Sequence, residues 1–162
     1  MNIGIISDTH ENMPLIAQAV ELFNAESVDL VLHAGDFISP ITSREFENLR
    51  CKMIAVYGNN DGDKLLLQKK FEGIAQFYEH YYEAELDGKK LVVMHEPKFL
   101  ESLMKAGLYD AVIYGHTHKL DIREGKPLVI NPGECGGWLT GKTTVAVLDL
   151  EKMEVDVKQL KG

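Results

Sequence analysis

The chain has 162 residues, a 45% hydrophobic fraction and a formal net charge of −8. That length predicts a single domain over residues 1–162, with enough apolar content for an ordinary core. The acidic balance disfavours a nucleic-acid polymer or an anionic membrane as partner, although a bound metal can dominate the field locally. Two cysteines without CxxC spacing and no visible signal segment predict a cytoplasmic protein with free thiols. No apolar run approaches the roughly 18 residues of a membrane span.

Residues 2–7 are an apolar run read as a buried strand. Residues 13–24 place Leu15, Ile16, Ala19, Val20 and Phe23 at helical spacing, with Asn12 as N-cap and Pro14 in the first turn. A second strand over 29–33 runs into Gly35-Asp36, a short helix is expected near 42–49, and a third strand over 52–57 ends at Gly58-Asn59. This βαβαβ opening implies a parallel sheet. A helix follows near 62–70. Residues 77–86 and 90–94 flank Asp87-Gly88 and predict one hairpin. A helix over 97–106 stops at Gly107, and a strand over 111–114 leads into Gly115-His116. Strands near 119–123 and 127–130, then a closing hairpin of 143–149 and 153–158, complete the chain. The later strands suit antiparallel pairing, so two packed mixed sheets with helices outside are expected.

The chemistry-bearing residues fall where those strands end. Asp8-Thr9-His10, Gly35-Asp36, Gly58-Asn59-Asn60-Asp61, His95 and Gly115-His116-Thr117-His118 follow in order. Loops after parallel strands gather at one edge of an open sheet, so distant ligands can meet there. Asp8 with His10, and His116 with His118, are read as i, i+2 pairs sharing one face at a strand end. Two carboxylates, four imidazoles and one amide suffice for two divalent metals sharing a bridging Asp, the equipment of metal-assisted phosphoester hydrolysis. Each motif alone is weak; their joint order carries the signal.

This order and spacing resemble the calcineurin-like metallophosphoesterase superfamily, most closely its small single-domain phosphodiesterase branch, from Asn2 to about Leu148. The resemblance implies a four-layer αββα sandwich and hydrolysis of phosphodiester bonds by a metal-bridging hydroxide at a dinuclear centre. It implies Asp8, His10 and His118 on a first metal, Asn59, His95 and His116 on a second, and Asp36 between them. Asn60 and Asp61 take the catalytic positions after Asn59. Mixed oxygen and imidazole donors suit Mn²⁺, Fe²⁺, Zn²⁺, Ni²⁺ or Co²⁺, and the family points to Mn²⁺ first. A small phosphodiester is the implied substrate, and a homodimer is left open. Competing readings are a protein-binding scaffold of the same fold, a phosphomonoesterase or a nuclease.

The chain departs from the family pattern at three places. Asn60 stands where many larger members carry a His that assists the leaving group, so slow turnover of poor leaving groups is expected. Glu96 follows His95 where Gly is usual, and Glu134 ends Asn131-Pro132-Gly133-Glu134 where Ser is usual. These acids are read either as repelling dianionic monoesters or as two solvated surface groups. Residues 136–143 match the phosphate-loop pattern G-x-x-x-x-G-K-T, but strand formers follow instead of a helix, so a Gly-rich loop with Lys142 in solvent is expected. His33 is expected as a satisfied core residue, and Trp138 as a candidate interface residue.

Overall fold

A computed structural model describes residues 1–161. Six strands form the first sheet: β1 (Asn2–Ile6), β2 (Leu30–His33), β3 (Lys52–Val56), β4 (Ala75–Tyr78), β10 (Thr144–Asp149) and β11 (Glu154–Gln159), in spatial order β11-β10-β1-β2-β3-β4. Five form the second: β5 (Tyr81–Leu86), β6 (Lys89–Met94), β7 (Ala111–Ile113), β8 (Leu120–Arg123) and β9 (Leu128–Pro132), in order β5-β6-β7-β9-β8. Both sheets are mixed. β1 to β4 run parallel, as do β6, β7 and β9. β10, β11, β5 and β8 pair antiparallel.

Central strands are apolar throughout because both of their faces are covered. Ile3, Ile5, Leu32 and Val56 meet Leu91, Val93, Ile113 and Ile130 between the sheets. On the other face of the first sheet, helix α1 (Met13–Ala25) lays Leu15, Ile16, Val20 and Phe23 against Val31, Met53 and Ala55. Helix α2 (Ser43–Phe46) and helix α3 (Lys64–Lys70) add Phe46 and Leu67 to that layer. Helix α4 (Leu100–Ala106) covers the outer face of the second sheet with Leu100, Leu103 and Met104 against Val92, Val112 and Val129. The edge strand β5 alternates exposed and half-buried residues, as a one-sided strand should. The layers are thus helix, sheet, sheet, helix, as expected. Among the described residues, no helix is long and apolar enough to cross a membrane.

Four expectations need correction. Residues 77–86 are not one strand of a hairpin: the run breaks at Glu79-His80, with Tyr78 ending the first sheet and Tyr81 opening the second. Only 81–86 pairs across Asp87-Gly88 with β6. The region 42–49 yields a 3-10 turn at Pro40–Thr42 and the single turn of α2. Helices α3 and α4 start later than expected; Asp63 caps α3 by accepting from Leu66 N at 3.1 Å. Asn12 stands at the start of α1, but its amide donates to Gly136 O at 2.8 Å instead of capping the helix. That long-range bond ties the loop after β1 to the loop after β9.

Gly4 in β1 leaves the space occupied by the Phe23 ring; a Cβ there would sit 2.8 Å from Phe23 Cδ1. Gly4→Ala is therefore expected to cost about 1–3 kcal/mol through overpacking. Urea unfolding would show a lower midpoint at unchanged slope; wild-type stability would mean that Phe23 can move aside freely.

Candidate metal centre

The parallel strands β1, β2, β3, β6, β7 and β9 all deliver their following loops to one end of the sandwich. Hydrogen bonds lock those loops together across the two sheets. Asp8 N donates to Gly35 O at 3.0 Å, Cys135 N to Ser7 O at 3.0 Å and Gly136 N to Asp8 O at 2.9 Å. Gly58 lies so close to Asp36 that a Cβ would fall 2.0 Å from Asp36 Oδ1. Gly35, at φ +101°, makes the turn before Asp36 and leaves room for His95 Nδ1.

Two groups of donors result. Ligand atoms of Asp8, His10, Asp36 and His118 all lie within 4.8 Å of one another. Asp8 Oδ2 accepts from Ser7 Oγ at 2.6 Å and His116 N at 3.1 Å. Its other oxygen, Oδ1, and His10 Nε2 are buried with no hydrogen-bond partner among the described residues. An unsatisfied buried polar atom costs about 1–3 kcal/mol, so this pair is built for something that is not a protein group. In the second group, Asn59 Oδ1 lies 2.9 Å from both His95 Nε2 and His116 Nδ1. Asp36 Oδ2 stands between the groups, 3.4 Å from His10 Nε2 and 3.5 Å from His95 Nε2. Burial alone would raise the Asp36 carboxyl; bonds from His95 and Asn60 more than offset this and hold it far below the ordinary range.

The structure gathers all seven expected ligand residues, but not by the strand geometry assumed for them. Asp8, His10, Asp36, His116 and His118 lie beyond their strands with φ between 42° and 67°. They sit in the left-handed region, which Asp and His enter more readily than most residues. Asn60 folds onto Asp36, donating from its backbone N and from Nδ2 at 2.9 and 2.8 Å. Asp61 does not reach the cluster: its carboxylate accepts from Gly58 N, Asp36 N and Ile38 N. Burial pushes that carboxyl above its usual range despite these bonds.

Glu134 is the main correction. It is fully buried, not a solvated surface acid. Its carboxylate accepts from His118 Nδ1, Leu139 N, Thr140 N and Thr140 Oγ1. Burial opposes its ionisation, but the His118 and Thr140 bonds keep the carboxyl below its usual range. The phosphate-loop look-alike thus turns its amides on an acid of the same chain, and the strand β10 follows it, not a helix. Glu96 is half-exposed and pairs with Lys98 Nζ at 2.9 Å. His33 is buried, stacked on Phe37 and bonded to Thr9 and Gly35, with burial holding it neutral. Trp138 is 66% exposed and donates to His10 O at 3.0 Å.

Two supporting residues were not foreseen. Ser7 orients Asp8. Asn131 is buried, with Nδ2 donating to Gly115 O and Thr117 Oγ1 at 3.0 Å, which braces the loop carrying His116 and His118. Its place in the Asn131-Pro132-Gly133-Glu134 motif was the sequence mark of it.

Comparison with known proteins agrees with this geometry. The family model for the calcineurin-like phosphoesterase superfamily domain matches residues 1–153. A phosphodiesterase of Methanocaldococcus jannaschii is 46% identical over 159 residues, covering 95% of this chain and 96% of that protein. A solved structure described as a novel archaeal phosphodiesterase superposes with a TM-score of 0.92 at 45% identity, covering 99% of this chain and all of that one. Vps29 of Entamoeba histolytica, solved with zinc, shares the fold at 18% identity and a TM-score of 0.69, covering 99% and 98% of the two chains. With a family model spanning nearly its whole length and a close relative covering as much, the chain belongs to the calcineurin-like phosphoesterase superfamily.

Proposed function

We propose that this chain is a metal-dependent phosphodiesterase acting on small diesters, with residues 1–162 as one catalytic domain. Asp8, His10 and His118 would hold one divalent ion and Asn59, His95 and His116 a second, with Asp36 serving both. The observation that carries this reading is Asp36 Oδ2, set between His10 and His95 beside the unpartnered Asp8 Oδ1. The nearly full-length likeness to a named phosphodiesterase supports the reaction class. When bound, such ions acidify water and stabilise charge on the attacked phosphate.

The remaining chemistry belongs to the chain's own side chains. With its Nδ1 proton directed at Ala34 O, 2.7 Å away, His95 turns Nε2 toward Asn59 and Asp36. Glu134 does the same for His118, leaving its Nε2 3.4 Å from Asp8 Oδ1. Asp8, Asp36 and Glu134 are all buried carboxylates, and together they offset most of the charge of two divalent ions. With a hydroxide between the ions no net positive charge would remain, so a monoanionic diester would be disfavoured less than a dianionic monoester. Asn60 directs its amide at Asp36 and carries no acidic proton, so it gives the leaving group no general-acid help. The donor set accommodates Mn²⁺, Fe²⁺, Co²⁺, Ni²⁺ or Zn²⁺ without choosing among them, and the likeness to the family points to Mn²⁺ first. Cys135 is adjacent but buried, and its thiol is pushed well up, so it supplies no thiolate. Unpaired Cys51 and Cys135 suit a reducing compartment such as the cytoplasm.

Hydrolysis of a nitrophenyl diester and its monoester after metal stripping is expected to return with Mn²⁺ and to favour the diester. Inactivity with every transition metal despite two bound ions would favour the scaffold reading. Glu134→Ala is expected to weaken metal binding by about 10–100-fold, measured by competition with a chelating dye; unchanged affinity would remove the orienting role. Asn60→His is expected to raise the rate for poor leaving groups relative to good ones by about tenfold or more. An unchanged ratio in a folded variant would show that protonation does not limit turnover.

A further inference from the structure

A cavity of about 530 Å³ adjoins the second donor group, with Asn59 and His95 in its lining. It runs outward along the second sheet toward α4. Val92 and Met94 of β6 form a buried apolar floor, and Leu103 of α4 closes one side. Two aromatic rings mark its mouth, Tyr81 at 58% and Phe99 at 68% exposure. Both lysines that line it are already paired: Lys64 Nζ with Glu79 at 2.7 Å and Lys98 Nζ with Glu96 at 2.9 Å. A second phosphate would meet two lysines already engaged by carboxylates, with His80 the remaining basic side chain of the lining. A flat, neutral ring would find an apolar floor at Val92 and Met94 and the exposed rings of Tyr81 and Phe99 beside it.

We propose that this cavity seats one of the two esterified alcohols of the substrate and selects those carrying a neutral aromatic ring. The inference rests on the phosphodiesterase reading, because it takes the phosphate to lie at Asn59 and His95. Continuity between cavity and donor group is what identifies the occupant. A phosphate held at Asn59 and His95 would lie beside the apolar lining of Val92, Met94 and Leu103, within reach of one of its two substituents.

The test compares diphenyl, dicyclohexyl and dimethyl phosphate as competitors of nitrophenyl diester hydrolysis by the metal-loaded protein, with saturation-transfer NMR on the metal-free protein as an activity-independent readout. Diphenyl phosphate is expected to compete about tenfold more tightly than dimethyl phosphate, and more tightly than the equally bulky dicyclohexyl ester. Phe99→Ala and Tyr81→Ala, both at exposed positions, are expected to narrow that ratio and to reduce saturation of the phenyl protons. Equal inhibition by all three esters, or a ratio untouched in both variants, would overturn the proposal. A dicyclohexyl ester that competes as well as diphenyl would overturn the aromatic selectivity. Absence of hydrolysis with every metal, alongside phenyl saturation that Phe99→Ala removes, would overturn the hydrolase reading while upholding the ring site.

Discussion

Everything at the working end of this protein is arranged around the carboxylate of Asp36. Its backbone N donates to Asp61, its carbonyl accepts from His10 N and Thr9 Oγ1, and both its oxygens accept from Asn60. It sits at the tip of the loop after β2, the strand flanked by β1 and β3, so its neighbours on either side bring Asp8 and Asn59 alongside it. The second sheet brings His95 against it from above. One side chain thereby joins groups contributed by both sheets, and a shift of its loop would disturb both donor groups together.

Holding that arrangement has a conformational cost. Five of the donor residues and the β-branched Ile38 adopt positive φ, each at an expense of order 1–3 kcal/mol. The compensation is visible in the surroundings. Buried Ser7, Asp61, Asn131 and Glu134 spend their hydrogen bonds on the backbone and side chains of these loops. Beneath them lie two continuous apolar layers. The site is held by polar groups whose hydrogen bonds are already used, resting on an apolar core.

The sandwich was legible because its central strands are short apolar runs closed by Gly-marked loops, and because Leu15 through Phe23 keep helical spacing. The seven residues that meet at this end were legible through their order. The reason first assigned to two pairs was wrong: Asp8 with His10 and His116 with His118 converge through left-handed turns, not through a shared strand face. No local pattern announces such turns. Glu134 was misread because a lone acid in a Gly-rich stretch looks solvated, and only tertiary folding buries it against His118. The run from Phe77 to Leu86 was misjoined because the transition at Glu79-His80 between two sheets has no Gly or Pro to mark it.

The one tryptophan of the chain has a further consequence. The Trp138 indole stands in solvent on the Gly-rich loop, yet its N–H is committed to the carbonyl of His10. Indole emission responds to both the polarity around the ring and the state of that N–H. Excited at the red edge, where tyrosine is silent, the protein therefore carries its own optical reporter on the loop of a donor residue, with no other indole to confuse the signal.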